Sequence, residues 1–259
     1  MRDAWTPRIL RAERLAAENP AVAPLLTFYG RVLSWQADLS NGLSGPAGHL
    51  SGTLERDLGL LLPAVPALIS LVEQEGPPLL SAEATRLRDH SPAIDNTLLS
   101  WWHRPSDKDF FPKAILQPYA TALASTQIAP AGRGLMPGRN NCPFCGGAPQ
   151  LSILFAASTA DGGGRQLLCA TCFTVWPFRR ILCAHCGEED EHKLSYFHSE
   201  ARGHLRVDAC DTCRRYLKTV DLTRLGVAVP LVDEVAGAPL DVWARDRGYE
   251  KIELNLVGL

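Results

Sequence analysis

From Ile9 to about Ser125 apolar residues recur at spacings of three and four and strand-like alternation is sparse, a pattern that predicts helices. The strongest run carries Leu25, Phe28, Tyr29, Val32, Leu33, Trp35 and Leu39 mostly on one helical face, so that face belongs to a core. Asn19-Pro20 reads as a cap followed by proline at the first helical position. Pro77-Pro78 breaks another helix and Ser81 to Arg88 resumes one. Leu98, Leu99, Trp101 and Trp102, then Ile115, Leu116, Tyr119 and Leu123, predict two more. A bundle of about five to seven helices follows.

Past residue 130 the pattern changes. Pro130 to Asn141 has the glycine, proline and asparagine density of a linker. Beyond it each of four cysteines recurs 41 residues later: Cys142, Cys145, Cys169 and Cys172 map onto Cys183, Cys186, Cys210 and Cys213. Gly146 maps onto Gly187, Arg165 onto Arg206 and Phe155 onto Tyr196, as in a tandem duplication. In the first copy Leu151 to Phe155 and Arg165 to Leu168 read as strands around a hairpin tip at Asp161-Gly162-Gly163-Gly164. In the tail, Leu240 to Gly248 predicts a short helix ending on glycine, and Ile252, Leu254 and Leu256 alternate as in a strand.

The reading is therefore α+β: an N-terminal helical bundle over 1–138, four-cysteine modules over 139–181 and 182–222, and a C-terminal helix and strand over 223–259 packing back on the body. The modules have the character of zinc ribbons or rubredoxin-like units.

Composition adds exclusions. The N-terminus runs from Met1 into Arg8, Arg11 and Arg14 without an apolar stretch, so no secretory signal is expected and the cytoplasm is the expected compartment. Leu58 to Val72 is the most apolar stretch, shorter than the roughly 20 residues of a membrane helix and interrupted by Pro63 and Pro66. No membrane insertion is expected. In a reducing compartment, paired C-x-x-C motifs favour metal over disulfides. A two-residue gap lets both sulfurs approach one ion, and two such knuckles complete a tetrahedron with no open position for substrate. Two metal ions per chain are expected, zinc or iron, which spacing does not separate. They supply folding energy that modules of about 40 residues lack.

The formal net charge is -2. Between Cys142 and Lys218 nine basic residues face eight acidic ones, and eight thiolates outweigh two divalent cations by four charges. The metallated region is thus near -3, a poor match to a phosphate backbone, and no nucleic-acid partner is expected. His185, His192, His198 and His204 read as surface residues beside a complete sulfur set, and Arg179, Arg180, Arg214 and Arg215 read equally as nucleic-acid contacts or as counterions to the thiolate centres. H-E-x-x-H, Walker A and G-x-S-x-G motifs are missing, so an enzyme is not expected.

Several segments together resemble the FdhE family of formate dehydrogenase accessory proteins. They are Cys142-Pro-Phe-Cys-Gly146, Arg165-Gln-Leu-Leu-Cys-Ala-Thr-Cys172, Trp176, Arg179-Arg180, Tyr196, Val207-Asp-Ala-Cys-Asp-Thr-Cys213, Tyr216-Leu-Lys218 and Leu240-Asp241. The helical half adds Arg11 to Ala16 and the Pro20 to Gln36 region. The resemblance implies a helical domain joined to two rubredoxin-like modules, with the eight cysteines as ligands and iron as at least one native metal. It implies a chaperone-like maturation factor that binds the catalytic subunit of a formate dehydrogenase. Trp176, Arg179, Arg180 and Tyr216 are then candidates for the shared surface. A zinc-ribbon nucleic-acid adaptor and a rubredoxin-type electron carrier are the competing readings.

Overall fold

The computed structural model describes residues 4–44, 49–89, 94–133, 140–156, 164–198 and 202–259. Among the described residues, seven α-helices precede the cysteines: α1 (Thr6–Glu18), α2 (Ala23–Leu43), α3 (Leu54–Leu61), α4 (Val65–Glu75), α5 (Pro78–Asp89), α6 (Ile94–His103) and α7 (Phe110–Thr126). Part of the expected linker, 134–139, lies outside the described residues, as does the tip 161–163 of the first hairpin. The helix start expected at Asn19-Pro20 is displaced. Asn19 instead closes α1, its amide nitrogen donating to the Leu15 carbonyl at 2.7 Å, and Pro24 occupies the first turn of α2. An asparagine amide serves either helix end, since it both donates and accepts.

The α2 face expected to be core is buried from Leu26 to Leu43. It packs on α7, a helix buried almost all round and carrying Pro118 in its interior. Proline lacks the N–H that would reach the carbonyl four residues back, here that of Ala114. The Gln36 side chain of α2 donates to that carbonyl at 2.8 Å and to Gln117 Oε1 at 3.1 Å. Gln36→Leu should cost about 1–3 kcal/mol by leaving both buried acceptors without their donor. Pro118→Ala restores the backbone donor, so the double variant should lose clearly less than the two single losses summed. Strict additivity in denaturant titrations would refute this link.

The apolar stretch around Leu58 to Val72 is longer than expected. A 3-10 turn at Leu62–Ala64 accommodates Pro63 and joins α3 to α4, making Leu54–Glu75 a 22-residue helical path apolar enough to cross a membrane. Its inner side, including Leu54, Leu61, Leu68 and Val72, is fully buried in the bundle core.

The strands are β1 (Pro149–Phe155), β2 (Gly164–Cys169), β3 (Val175–Phe178), β4 (Leu194–His198), β5 (Leu205–Cys210) and β6 (Arg215–Asp221). Each repeat is a three-stranded antiparallel unit, and its last strand, after the second knuckle, was not expected. The two units join edge to edge: β1 runs parallel to β6, with Leu151 opposite Lys218 and Leu154 opposite Asp221. The strand order is β3-β2-β1-β6-β5-β4, and β7 (Glu250–Lys251) also pairs with β6.

The tail differs from its expectation in two ways. A helix α8 (Pro230–Ala236) precedes α9 (Ala238–Asp246), and Ile252 to Leu256 forms no strand. Asn255 Oδ1 accepts the Val257 and Leu259 N–H groups, which folds the chain end into turns instead.

Candidate metal centres

Each knuckle is a short loop whose backbone turns back on itself. Gly146 N–H donates to the Cys142 carbonyl, and Gly187 N–H to that of Cys183. The residue after each second cysteine is left-handed: Gly146 (φ 73°), Phe173 (φ 56°), Gly187 (φ 78°) and Arg214 (φ 57°). Glycine enters that region freely whereas L side chains are strained there. The first knuckle of each repeat therefore advertises its turn in the sequence, and the second hides it behind Phe173 or Arg214.

The eight cysteines form two clusters, and within each the four sulfurs lie within 4.8 Å of one another. Cys142 and Cys172 sulfurs are 3.5 Å apart, Cys145 and Cys169 3.4 Å, Cys183 and Cys213 3.8 Å, Cys186 and Cys210 3.7 Å. A disulfide would need about 2.05 Å. A tetrahedron of sulfurs about 2.3 Å from a central ion has edges of about 3.8 Å. Both clusters thus fit a four-coordinate ion, of zinc or iron alike. Crowded together, the sulfurs do not ionise alike: Cys142 is held below the ordinary thiol range by hydrogen bonds from Cys145, Cys169 and Cys172, while burial pushes Cys169 well above it. Four thiolates share so small a space only around a cation. Among the described residues no histidine or carboxylate joins either cluster.

The surroundings orient the sulfurs. Thr171 N–H donates to Cys169 Sγ at 3.3 Å, and His185 N–H to Cys183 Sγ at 3.4 Å. Gln117 of α7 donates to the Ala170 carbonyl inside the second knuckle. Arg8 of α1 stacks on both Trp5 and Phe173, 4.7 and 4.5 Å from the ring centres. All four sulfurs of the first cluster belong to the same apolar core as the helices. Spacing alone signalled none of these supports.

Gly147 matters for space. A Cβ there would lie 3.1 Å from Cys169 Sγ, 3.2 Å from Thr171 Oγ1 and 3.3 Å from Cys145 Sγ. Gly147→Ala should weaken retention of the first ion by about 1–3 kcal/mol, roughly fivefold to 150-fold, in a chelator competition. Gly187→Ala meets nothing within 4 Å and incurs only left-handed backbone strain, about 1–2 kcal/mol of stability. Equal retention in both variants would contradict the crowding argument.

The four candidate surface residues divide. Arg179 and Arg180 are exposed, Arg179 pairing with Glu189 at 2.7 Å. Trp176 is buried in the core shared with the helices, so it does not present a partner surface. Tyr216 is likewise a correction: it is 1% exposed and donates to Asp241 at 2.7 Å. A sheet residue beside an overlying helix packs inward whatever its aromatic character. Arg214 and Arg215 pair with Asp211 and Glu250, and His204 meets Asp233 at 2.9 Å; His185, His192 and His198 are exposed.

Residues 181–257, covering the second cluster and the tail, match the family described as FdhE, C-terminal domain. A "Protein FdhE homolog" of Aquifex aeolicus is 29% identical over 90% of this chain and 86% of its own length. The chain is similar to FdhE proteins over most of its length. A Shewanella oneidensis homologue of FdhE is 26% identical over 93% of this chain and 76% of its own. The crystal structure of the FdhE protein from Pseudomonas aeruginosa superposes with a TM-score of 0.73 at 24% identity, covering 99% of this chain and 96% of that one. Likeness to FdhE proteins therefore extends through the helical half, where sequence motifs alone were few.

Proposed function

We propose that the protein is a cytoplasmic accessory factor that binds the catalytic subunit of a molybdenum or tungsten formate dehydrogenase and supports its assembly into active enzyme. It does not oxidise formate. The observation that carries this reading is sequence similarity to FdhE homologues together with a fold shared with an FdhE protein along nearly the whole chain. The chemistry of the centres supports it, because four protein sulfurs fill a tetrahedron and leave no position for substrate. The centres act as structural or redox-sensing elements, with iron as a native ion.

The contact surface in this reading is the exposed seam between the repeats. Arg180, Ile181, Tyr196 and Arg206 line an open cleft of about 510 Å³ there. Ile181 is 48% and Tyr196 62% exposed, so apolar and cationic groups face outward together.

The test is deletion in the native bacterium. Formate dehydrogenase activity should fall while the enzyme's subunits are still synthesised, and the intact protein should capture the catalytic subunit anaerobically. Unchanged activity in the deletion strain would end this reading.

A further inference from the structure

The two clusters share ligand type and spacing but not surroundings. All four cysteines of the first are buried, whereas in the second Cys186 is exposed, Cys213 is intermediate, and only Cys183 and Cys210 are buried. We propose that the second centre is an exchange site, whose ion is reached by a soft donor from outside, a thiolate or chelating nitrogen, through the edge formed by Cys186 and Cys213.

Ligand exchange at a four-coordinate ion is fastest when the entering atom approaches before a sulfur leaves, so it needs an uncovered edge of the tetrahedron. The first centre has none. Gly147 lies so close over the sulfurs that even a Cβ would crowd three side-chain atoms. Gln117 holds Ala170 from the helix side, and Phe173 lies beneath Arg8 and Trp5. Opening this centre requires separating the sheet from the helices.

At the second centre the repeat places Glu188 where the first has Gly147, and Thr212 where the first has Thr171. The Thr212 hydroxyl donates to Glu188 Oε2 at 2.6 Å, linking the two knuckles across the surface. Thr212 and His185 are themselves exposed. Glu188 is held there by the Thr212 hydroxyl, by the Glu189 and Asp190 N–H groups at 3.0 Å and by Lys193 at 3.8 Å, polar contacts at the surface that exchange readily with water. The pair Cys183 and Cys210, at the end of β5, is buried and lines a small cavity of about 70 Å³ beside Arg165. It keeps hold of the ion while Cys186 and Cys213 are displaced one at a time. The outside donor then takes the places of Cys183 and Cys210 in turn, so that the ion is loaded or removed without unfolding the sheet. This inference does not depend on the formate dehydrogenase reading.

The experiment uses the full chain loaded with two zinc ions in reductant, with 4-(2-pyridylazo)resorcinol as the probe. One ion should leave in a first phase whose rate rises with probe concentration and exceeds the second phase about tenfold or more. The second ion should leave only as fast as tryptophan fluorescence reports unfolding. Iodoacetamide should label Cys186 and Cys213 first, read by peptide mass spectrometry. A Cys186→Ser chain should retain one ion and lack the first phase. A single phase for both ions, a first phase independent of probe, or earliest labelling between Cys142 and Cys172 would overturn the proposal. Should Cys186→Ser fail to fold, the phases and labelling of the wild-type chain still decide it.

Discussion

Replacing Cys169 by serine in the metal-loaded protein should unfold far more than one knuckle, whereas Cys186→Ser should leave the helical half intact. A structural zinc site contributes an apparent ~10–16 kcal/mol, comparable to or above the ~5–15 kcal/mol by which whole domains are stable. What differs is where that energy is connected. Cys169 is completely buried within the core that includes Leu26, Val32, Phe111 and Leu116. The Ala170 carbonyl beside it receives Gln117, itself joined to Gln36 of α2. Loss of the first ion therefore withdraws support from α2 and α7 together. Cys186 is exposed and lies outside every apolar cluster of the described residues. Its loss frees one peripheral loop. Far-UV circular dichroism and thermal melts should show Cys169→Ser losing helix and cooperative unfolding, with Cys186→Ser near the wild-type profile. Equal damage from both substitutions would show that the helices do not depend on the first centre.

Lys218→Met should destabilise the folded protein by about 3–5 kcal/mol, the usual result of stranding the partners of a buried charge. Lys218 and Glu234 have completely buried side chains, and those of Asp241 and Lys251 are 1% exposed. Lys218 Nζ lies 2.9 Å from Glu234 Oε1 and also pairs with Asp241; Lys251 pairs with Glu234 and donates to the Leu259 carbonyl at 2.6 Å. Burial alone would raise the Glu234 carboxyl, yet Lys218 and Lys251 hold it below its usual range; Lys218 is raised despite burial by Glu234 and Asp241. Two positive and two negative groups balance, and Tyr216, Asn255 and Gln150 supply further hydrogen bonds. Removing one ammonium leaves Asp241 and Glu234 sharing Lys251, which is 3.8 Å from the former. The cluster ties β6 and β7 to α8, α9 and the chain end, so its failure should release the tail. Arg179→Ala is the control: its pair with Glu189 is 57% and 48% exposed, and such pairs contribute about 0–1 kcal/mol. Denaturant midpoints for the two variants would decide it, and a Lys218→Met protein within about 0.5 kcal/mol of wild type would mean the cluster is not a stabilising hub.

The parts legible in the chain were those set by short spacings. Apolar residues three and four apart placed α2, α6 and α7 because helix faces repeat locally. Two-residue gaps between cysteines and a 41-residue recurrence placed eight sulfurs in two sets, since a knuckle is a local loop. Gly146 and Gly187 even marked the left-handed turn, while Phe173 and Arg214 concealed the same turn behind ordinary side chains.

Tertiary structure alone decided the rest. Pairing of Leu151 with Lys218 merges the two repeats into one sheet, a choice made between residues far apart in the chain. Asp233 and Glu234 gave α8 a polar look in the sequence, although both are buried against cations from other elements. Tyr216 and Trp176 carried no mark that distinguishes a packed aromatic from a presented one. The same cysteine motif became a closed centre where helices cover it and an open one at the edge of the sheet. Spacing fixes which sulfurs can converge on an ion, and only the packing of distant segments fixes what can reach it.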